Sequence, residues 1–191
     1  SFPSGFSWHD LPMHLSGDLT MGTLLEHYPG ARRALFSAFH IGGCQSCSYE
    51  LSDTLASVCE KNEIDMNDAL ICLSKSQAHD MEMLISPCEL KELLASNQEF
   101  IFLDTRTREE FEATSITGSE LMTQERQTEI FADKNQDQKI ILIDHRGRNV
   151  LDHCAWFRGH GLKNTLGVDG GIDRYAREVD TSIPRYRLEL D

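Results

Sequence analysis

Two clusters of side chains could do chemistry. Cys44 and Cys47 form a C-x-x-C directly after Gly42 and Gly43. This spacing lets two thiols meet at the start of a helical turn, where N–H groups and the helix end lower a thiol pKa and ease disulfide or persulfide exchange. The same pair is also half of a metal site. A zinc centre or an iron-sulfur cluster needs about four ligands. Cys59 and His40 are candidate additions, but no second C-x-x-C occurs, so a metal ion or cluster at Cys44 and Cys47 would call for a homodimer. No cofactor is otherwise implied. The second cluster is the run Asp144, His145, Arg146, Gly147, Arg148 and Asn149, between an apolar segment and a helical one. A short glycine-containing turn that opens a helix points backbone N–H groups at one spot and adds the helix's positive end, which makes an anion cradle. Asp144 then has two readings. Its carboxylate accepts the cradle's own N–H groups as a built-in anion and cap; or the pocket takes a ligand, or uses Asp144 as a general base beside His145.

The other four cysteines, Cys59, Cys72, Cys88 and Cys154, are expected mostly as buried small hydrophobes in a reducing compartment. Cys154 lies ten positions beyond Asp144, about 15 Å along a helix and too far to replace it. His153 and His160 share that helix but stand about 10 Å apart along its axis, too far for one metal ion.

The elements that position these residues follow from spacing. An irregular arm, 1–18, carries Phe2, Phe6, Trp8 and Leu11. Residues 19–73 then read as a small helical domain. A helix capped by Thr20 holds Met21, Leu24 and Leu25; Pro29 and Gly30 open a second helix to about Phe39, stopped by Gly42 and Gly43; a third follows Ser52 and a short fourth follows Asp65. The polar stretch 74–82 is the expected linker. Residues 83–191 alternate strand and helix, with strands expected at 83–85, 100–103, from Ile116, at 140–143 and at 165–168, and helices opened by Ser86, Thr107, Thr123 and Asn149. Such alternation builds an α/β parallel sheet flanked by helices, here preceded by an all-α domain. Reactive residues then sit beyond the strands' carboxyl ends, where the 144–149 loop falls.

Composition narrows the function classes. With 18 basic against 31 acidic residues in 191, the net charge is -13 and a phosphate-tracking nucleic-acid partner is not expected. No apolar run reaches spanning length and no basic amphipathic stretch suggests a membrane surface. The first basic residue is Arg32, and 1–18 lacks the features of a secretory signal, so a cytoplasmic protein is expected.

Motif order in the second half resembles the rhodanese family. LDTRTREEF, with Asp104, Arg106, Glu109, Glu110 and Phe111, is similar to its Asp-x-Arg and Glu-Glu-Phe pattern; SITGSEL resembles its turn; and DHRGRNVLDHCAWFRGHGLKNTLGVDGGI resembles its active-site loop, following helix and Gly-Gly-Ile ending. The resemblance implies a rhodanese-like fold with Asp104 and Arg106 supporting the loop. It also implies a sulfur-carrying cysteine at the first loop position, where this sequence has Asp144, and an arginine where it has Asn149. Residues 19–73 resemble the small helical redox domain associated with hybrid-cluster protein. Together they suggest a protein of sulfur or iron-sulfur metabolism, inactive as a conventional thiosulfate sulfurtransferase, with Cys44 and Cys47 as redox or sulfur-carrying thiols. The alternatives are a sulfurtransferase that carries persulfide on Cys44 and Cys47, and an interaction module without thiol chemistry. The partner expected is a small thiol, a sulfur donor such as thiosulfate, or a protein of the same metabolism.

Overall fold

The computed structural model describes residues 14–43, 48–133 and 135–188. Cys44, Cys47 and the aromatic residues of the amino-terminal arm therefore lie outside the described residues. The chain divides into two compact units, 1–79 and 80–191.

The first unit is helical. Helices α1 (Met21–His27), α2 (Ala31–Phe39) and α3 (Leu55–Lys61), with the start of α4 (Met66–Glu82), surround a core of Met21, Leu24, Leu35, Ile41, Leu55, Val58, Ala69 and Leu73. Thr20 and Thr54 cap α1 and α3 through their hydroxyls, so the third helix starts two residues later than its composition suggests. The two cap regions are tied together by main-chain bonds: Met21 N–H donates to Asp53 C=O at 2.7 Å, and Leu55 N–H to Leu19 C=O at 2.9 Å. Helix α2 ends on His40 in the left-handed region (φ 60°), and Gly42 (φ +84°) continues the turn.

The expected linker 74–82 is helical throughout, and the division between the units falls within it. Helix α4 runs unbroken for 17 residues. The stretch is polar, but it contains no glycine or proline, and Lys75, Gln77, Ala78, Met81 and Glu82 are good helix formers. Polarity signalled an exposed surface rather than a break.

The second unit is a five-stranded sheet, β1 (Leu84–Ile85), β2 (Ile101–Asp104), β3 (Glu120–Leu121), β4 (Ile140–Ile143) and β5 (Thr165–Val168), in the order β1-β5-β4-β2-β3 with every pairing parallel. Strand β4 is central and all four of its residues are fully buried. Its side chains alternate between two cores. Ile140 and Leu142 pack with Ile130 of α7 (Gln124–Ala132) and with Val150, Leu151, Cys154 and Phe157 of α8 (Val150–Gly159). Ile141 and Ile143 pack with Leu90 and Leu93 of α5 (Pro87–Ala95) and with Ile172 and Tyr175 of α9 (Gly171–Glu178). Both faces are covered, as a parallel sheet requires.

Helix α6 (Arg108–Ala113) completes the set. Ser86 with Glu89 and Thr107 with Glu110 form reciprocal capping boxes on α5 and α6. Strand β3 starts at Glu120 rather than at Ile116, because Ser119 donates both its N–H and its hydroxyl to the Ile116 carbonyl and closes a turn there, with Gly118 at φ +92°. Among the remaining cysteines Cys59 and Cys154 are buried, but Cys72 is only half-buried and Cys88 is exposed on α5, where its position faces outward. No helix among the described residues is long and apolar enough to cross a membrane.

Candidate functional site

The last residue of β4 delivers the chain into Asp144, and the loop 144–149 leads into α8. The loop folds around the Asp144 carboxylate. Gly147 N–H donates to Oδ1, and the N–H groups of Asn149 and Val150 donate to Oδ2 at 2.9 and 3.0 Å. One side chain thus satisfies three donors that a helix start and a tight turn would otherwise leave open. Asn149 occupies the cap position of α8 without making a side-chain cap bond, so Asp144 caps this helix from the preceding strand.

Two glycines, one in the loop and one at the start of α9, let it close. A Cβ on Gly147 (φ +80°) would sit 2.8 Å from the Gly170 nitrogen, and a Cβ on Gly171 (φ +62°) would sit 2.5 Å from the His145 carbonyl. The first turn of α9 therefore lies directly against the loop, where Ile172 and Asp173 N–H groups donate to the Asp144 and His145 carbonyls at 2.9 and 3.0 Å.

Beside the loop lies a buried ionic pair. Asp104 ends β2 with no exposed surface, and Arg106 donates to its carboxylate through Nε (2.9 Å) and a terminal nitrogen (2.7 Å). Arg106 also donates to the Thr114 carbonyl at 2.6 Å and to the Tyr186 hydroxyl at 2.8 Å. The Tyr186 hydroxyl in turn donates to Glu110 at 2.7 Å. The Tyr186 ring stacks on His145 with centroids 4.2 Å apart and planes 10° from parallel, and its carbonyl lies 3.1 Å from His145 Nε2. Nε2 must therefore carry a proton.

Electrostatics follow from these contacts. Burial pushes the Asp144 carboxyl above the ordinary carboxylate range, against the three N–H donors and the charge of His153, which pull it down. Burial also works against Glu110, but hydrogen bonds from Tyr186 and Thr107 and the charge of Arg106 hold it below its usual range. Burial and the bond to Glu110 push the Tyr186 phenol up to about 12, with Arg106 opposing. A raised folded-state value means that the unfolded chain releases its proton first. Stability from this group is complete below the ordinary tyrosine pKa and is lost as pH rises toward 12. The wild type is thus expected to lose stability between roughly pH 10 and pH 12 more steeply than Tyr186→Phe; parallel denaturation curves for the two proteins would contradict the network.

Residues 86–178 match the family model of the rhodanese-like domain. The second half is a rhodanese-like domain. The chain is 22% identical over 137 residues to the Rhodanese-like/PpiC domain-containing protein 12, chloroplastic, of Arabidopsis thaliana, aligning 64% of this chain with 46% of that protein. It is 23% identical over 115 residues to the Adenylyltransferase and sulfurtransferase UBA4 of Candida albicans, aligning 56% of this chain with 26% of that protein. The chain thus spans less than half the length of these curated relatives. Among solved structures, a rhodanese-like domain protein from Staphylococcus aureus is similar at 17% identity and a TM-score of 0.41, covering 55% of this chain and 98% of that one.

Within the rhodanese-like domain the structure brings Asp144, Gly147 and Asn149 together as one cradle, with Asp104 and Arg106 as a separate buried pair linked to it through Tyr186 and His145. Arg148 and Asn149 are exposed and Arg146 is half-buried, and the charges of Arg146 and His145 reach Asp173. His145 Nε2 is engaged by Tyr186, which leaves the proposed partnership of His145 with Asp144 without a hydrogen bond at that nitrogen. Among the described residues no group of three His, Cys, Asp or Glu side chains converges on a metal position. Tyr186 is the residue that sequence reasoning missed. A lone aromatic between Arg185 and Arg187 in a polar tail was its only signal.

Proposed function

We propose that the rhodanese-like domain serves a sulfur-transfer protein as a catalytically silent module, with the Asp144 carboxylate occupying the cradle that a sulfur-bearing thiolate would fill. The observation that carries this reading is the convergence of three loop N–H groups on that carboxylate. A carboxylate cannot replace the thiolate, because sulfur transfer needs a polarizable nucleophile that also leaves readily. The sulfur setting is supported by the family match and by the sulfurtransferase activity in the name of one relative. Cys44 and Cys47, by their spacing after Gly42 and Gly43, are the thiols assigned redox or sulfur-carrying work, with a small thiol, a sulfur donor or a protein of sulfur metabolism as partner.

The test is a thiosulfate-to-cyanide transfer assay on the full chain, with peptide mass mapping after exposure to thiosulfate and to a persulfide donor. No thiocyanate, and sulfur or a disulfide confined to Cys44 and Cys47, is the expected result. Turnover abolished by Cys44→Ser or Cys47→Ser would make the protein a sulfurtransferase with displaced thiols, and no modification of either cysteine would remove their role. The cradle itself is checked by Asp144→Ala. Three donors lose their acceptor, so the variant should be destabilised by on the order of 2 kcal/mol, and millimolar sulfate should raise its melting temperature but not that of the wild type. An equal response to sulfate in the two proteins would contradict a filled cradle.

A further inference from the structure

Residues 179–188 form no helix or strand, yet they are tied at three points to the functional loop and its supports. Arg185 grips Asp173 with two hydrogen bonds, at 2.8 and 3.0 Å, and the Asp173 N–H holds the His145 carbonyl. Tyr186 covers the His145 ring and offers its carbonyl to Nε2. The Tyr186 hydroxyl sits between Arg106 and Glu110, which belong to the β2–α6 side of the site. Ile183 and Tyr186 also pack against the core under α5 and α9. The segment thus leaves α9, crosses the 144–149 loop and ends against the segment after β2.

His145 is therefore held at both ends. Its main chain is bonded by α9, and its ring is pinned between the loop and the segment. The donors that meet at Asp144 come from Gly147, Asn149 and Val150, two to five residues further along the same short loop. A rotation of His145 would be carried into their directions. The neighbouring ionisable groups are Asp173, whose carboxyl lies within reach of the charges of His145 and Arg146, and Arg185.

From these contacts we propose that residues 180–186 form a clasp that sets the geometry of the anion-holding loop, with Tyr186 as its positioning residue acting through His145. This deepens the reading of the loop as an anion cradle and rests on it. Release of the segment would free the His145 ring, and the directions of the loop's N–H donors would loosen with it.

The test uses the full chain with Asp144→Cys as a reporter. The rate of iodoacetamide alkylation at position 144, mapped by peptide mass, is followed against pH with Tyr186 intact, with Tyr186→Phe and with Tyr186→Ala; Arg187→Ala, at an exposed neighbour, is the control. With the clasp intact the thiol should ionise below the ordinary cysteine range, because cradle N–H groups favour the thiolate. Tyr186→Ala should raise the midpoint by about one unit, a tenfold loss of thiolate near neutral pH, while Tyr186→Phe falls between and Arg187→Ala changes nothing. Equal midpoints with and without Tyr186, in folded proteins, would overturn the clasp. If Tyr186→Ala does not fold, Tyr186→Phe and Arg185→Ala carry the same comparison, and no shift in either is decisive against it. A second readout needs no reporter: nitrogen NMR of His145 in the otherwise wild-type chain should show one tautomer, protonated at Nε2, which becomes a mixture in Tyr186→Ala. An ordinary thiol midpoint with Tyr186 intact would count against the cradle reading alone, and the His145 tautomer would then decide the clasp by itself.

Discussion

Asp144→Cys is expected to form thiocyanate from thiosulfate and cyanide, where the wild-type domain is proposed to form none. The substitution leaves the main-chain bonds from Ile172 and Asp173 to the loop carbonyls in place, and a thiolate can accept from the donors that the carboxylate now takes. It places sulfur where three N–H groups and the start of α8 converge. These donors favour the thiolate, and helix amino-terminal cysteines ionise about one unit or more below the ordinary value, which gives at least tenfold more thiolate at neutral pH. The thiolate attacks the outer sulfur of thiosulfate, a sulfur-sulfur bond forms on the protein, and the sulfur-sulfur bond of thiosulfate breaks with sulfite leaving. Cyanide then removes the outer sulfur as thiocyanate and regenerates the thiolate. Mass spectrometry should find one added sulfur atom at position 144 after thiosulfate, and none there in the wild type. A folded variant whose new thiol takes up no sulfur would show that the cradle cannot support the chemistry, and would count against the proposal that Asp144 stands in for a sulfur carrier.

The largest loss of stability is expected from Asp104→Ala. Asp104 is fully buried and Arg106 is 8% exposed, so removing the carboxylate strands a guanidinium that cannot reach water without disturbing β2. Breaking a buried pair from one side costs about 3–5 kcal/mol, whereas replacing both partners by apolar residues costs far less. Denaturant unfolding should therefore rank the double variant Asp104→Leu with Arg106→Leu above Asp104→Ala in stability. The same substitution would loosen Tyr186, because Arg106 loses the partner that fixes its orientation toward the phenol. A loss below about 1 kcal/mol for Asp104→Ala would mean that the pair is solvated in solution.

Much of this architecture was legible before any coordinates. The four-residue run Ile140 to Ile143 reads as a strand buried on both faces, and it is the central strand. Ser86, Thr107 and Thr123 cap the helices that their spacing assigns to them. The cradle was also readable, because Asp144 and its donors lie within six residues of one another. Two differences, the run-on of the expected short fourth helix and the late start of β3, have local causes. The polar stretch 74–82 lacks a breaker and stays helical, and the Ile116 turn delays β3. Helix α9 went unread although Ile172, Tyr175 and Ala176 repeat at helical spacing, because Gly170 and Gly171 suggest an ending rather than a start.

The sequence by itself determined the strand-helix alternation and the position of the loop, and it left two readings of Asp144 open. Alternation and loop position depend on residues a few positions apart, and periodicity, caps and turns report such distances directly. The tertiary structure decided what holds the loop in place. Tyr186 is 80 residues from Arg106, 76 from Glu110 and 41 from His145. No local pattern records contacts of that separation, because they form only after the sheet has brought the ends of β2 and β4 side by side and α9 has turned the carboxyl-terminal segment back across them.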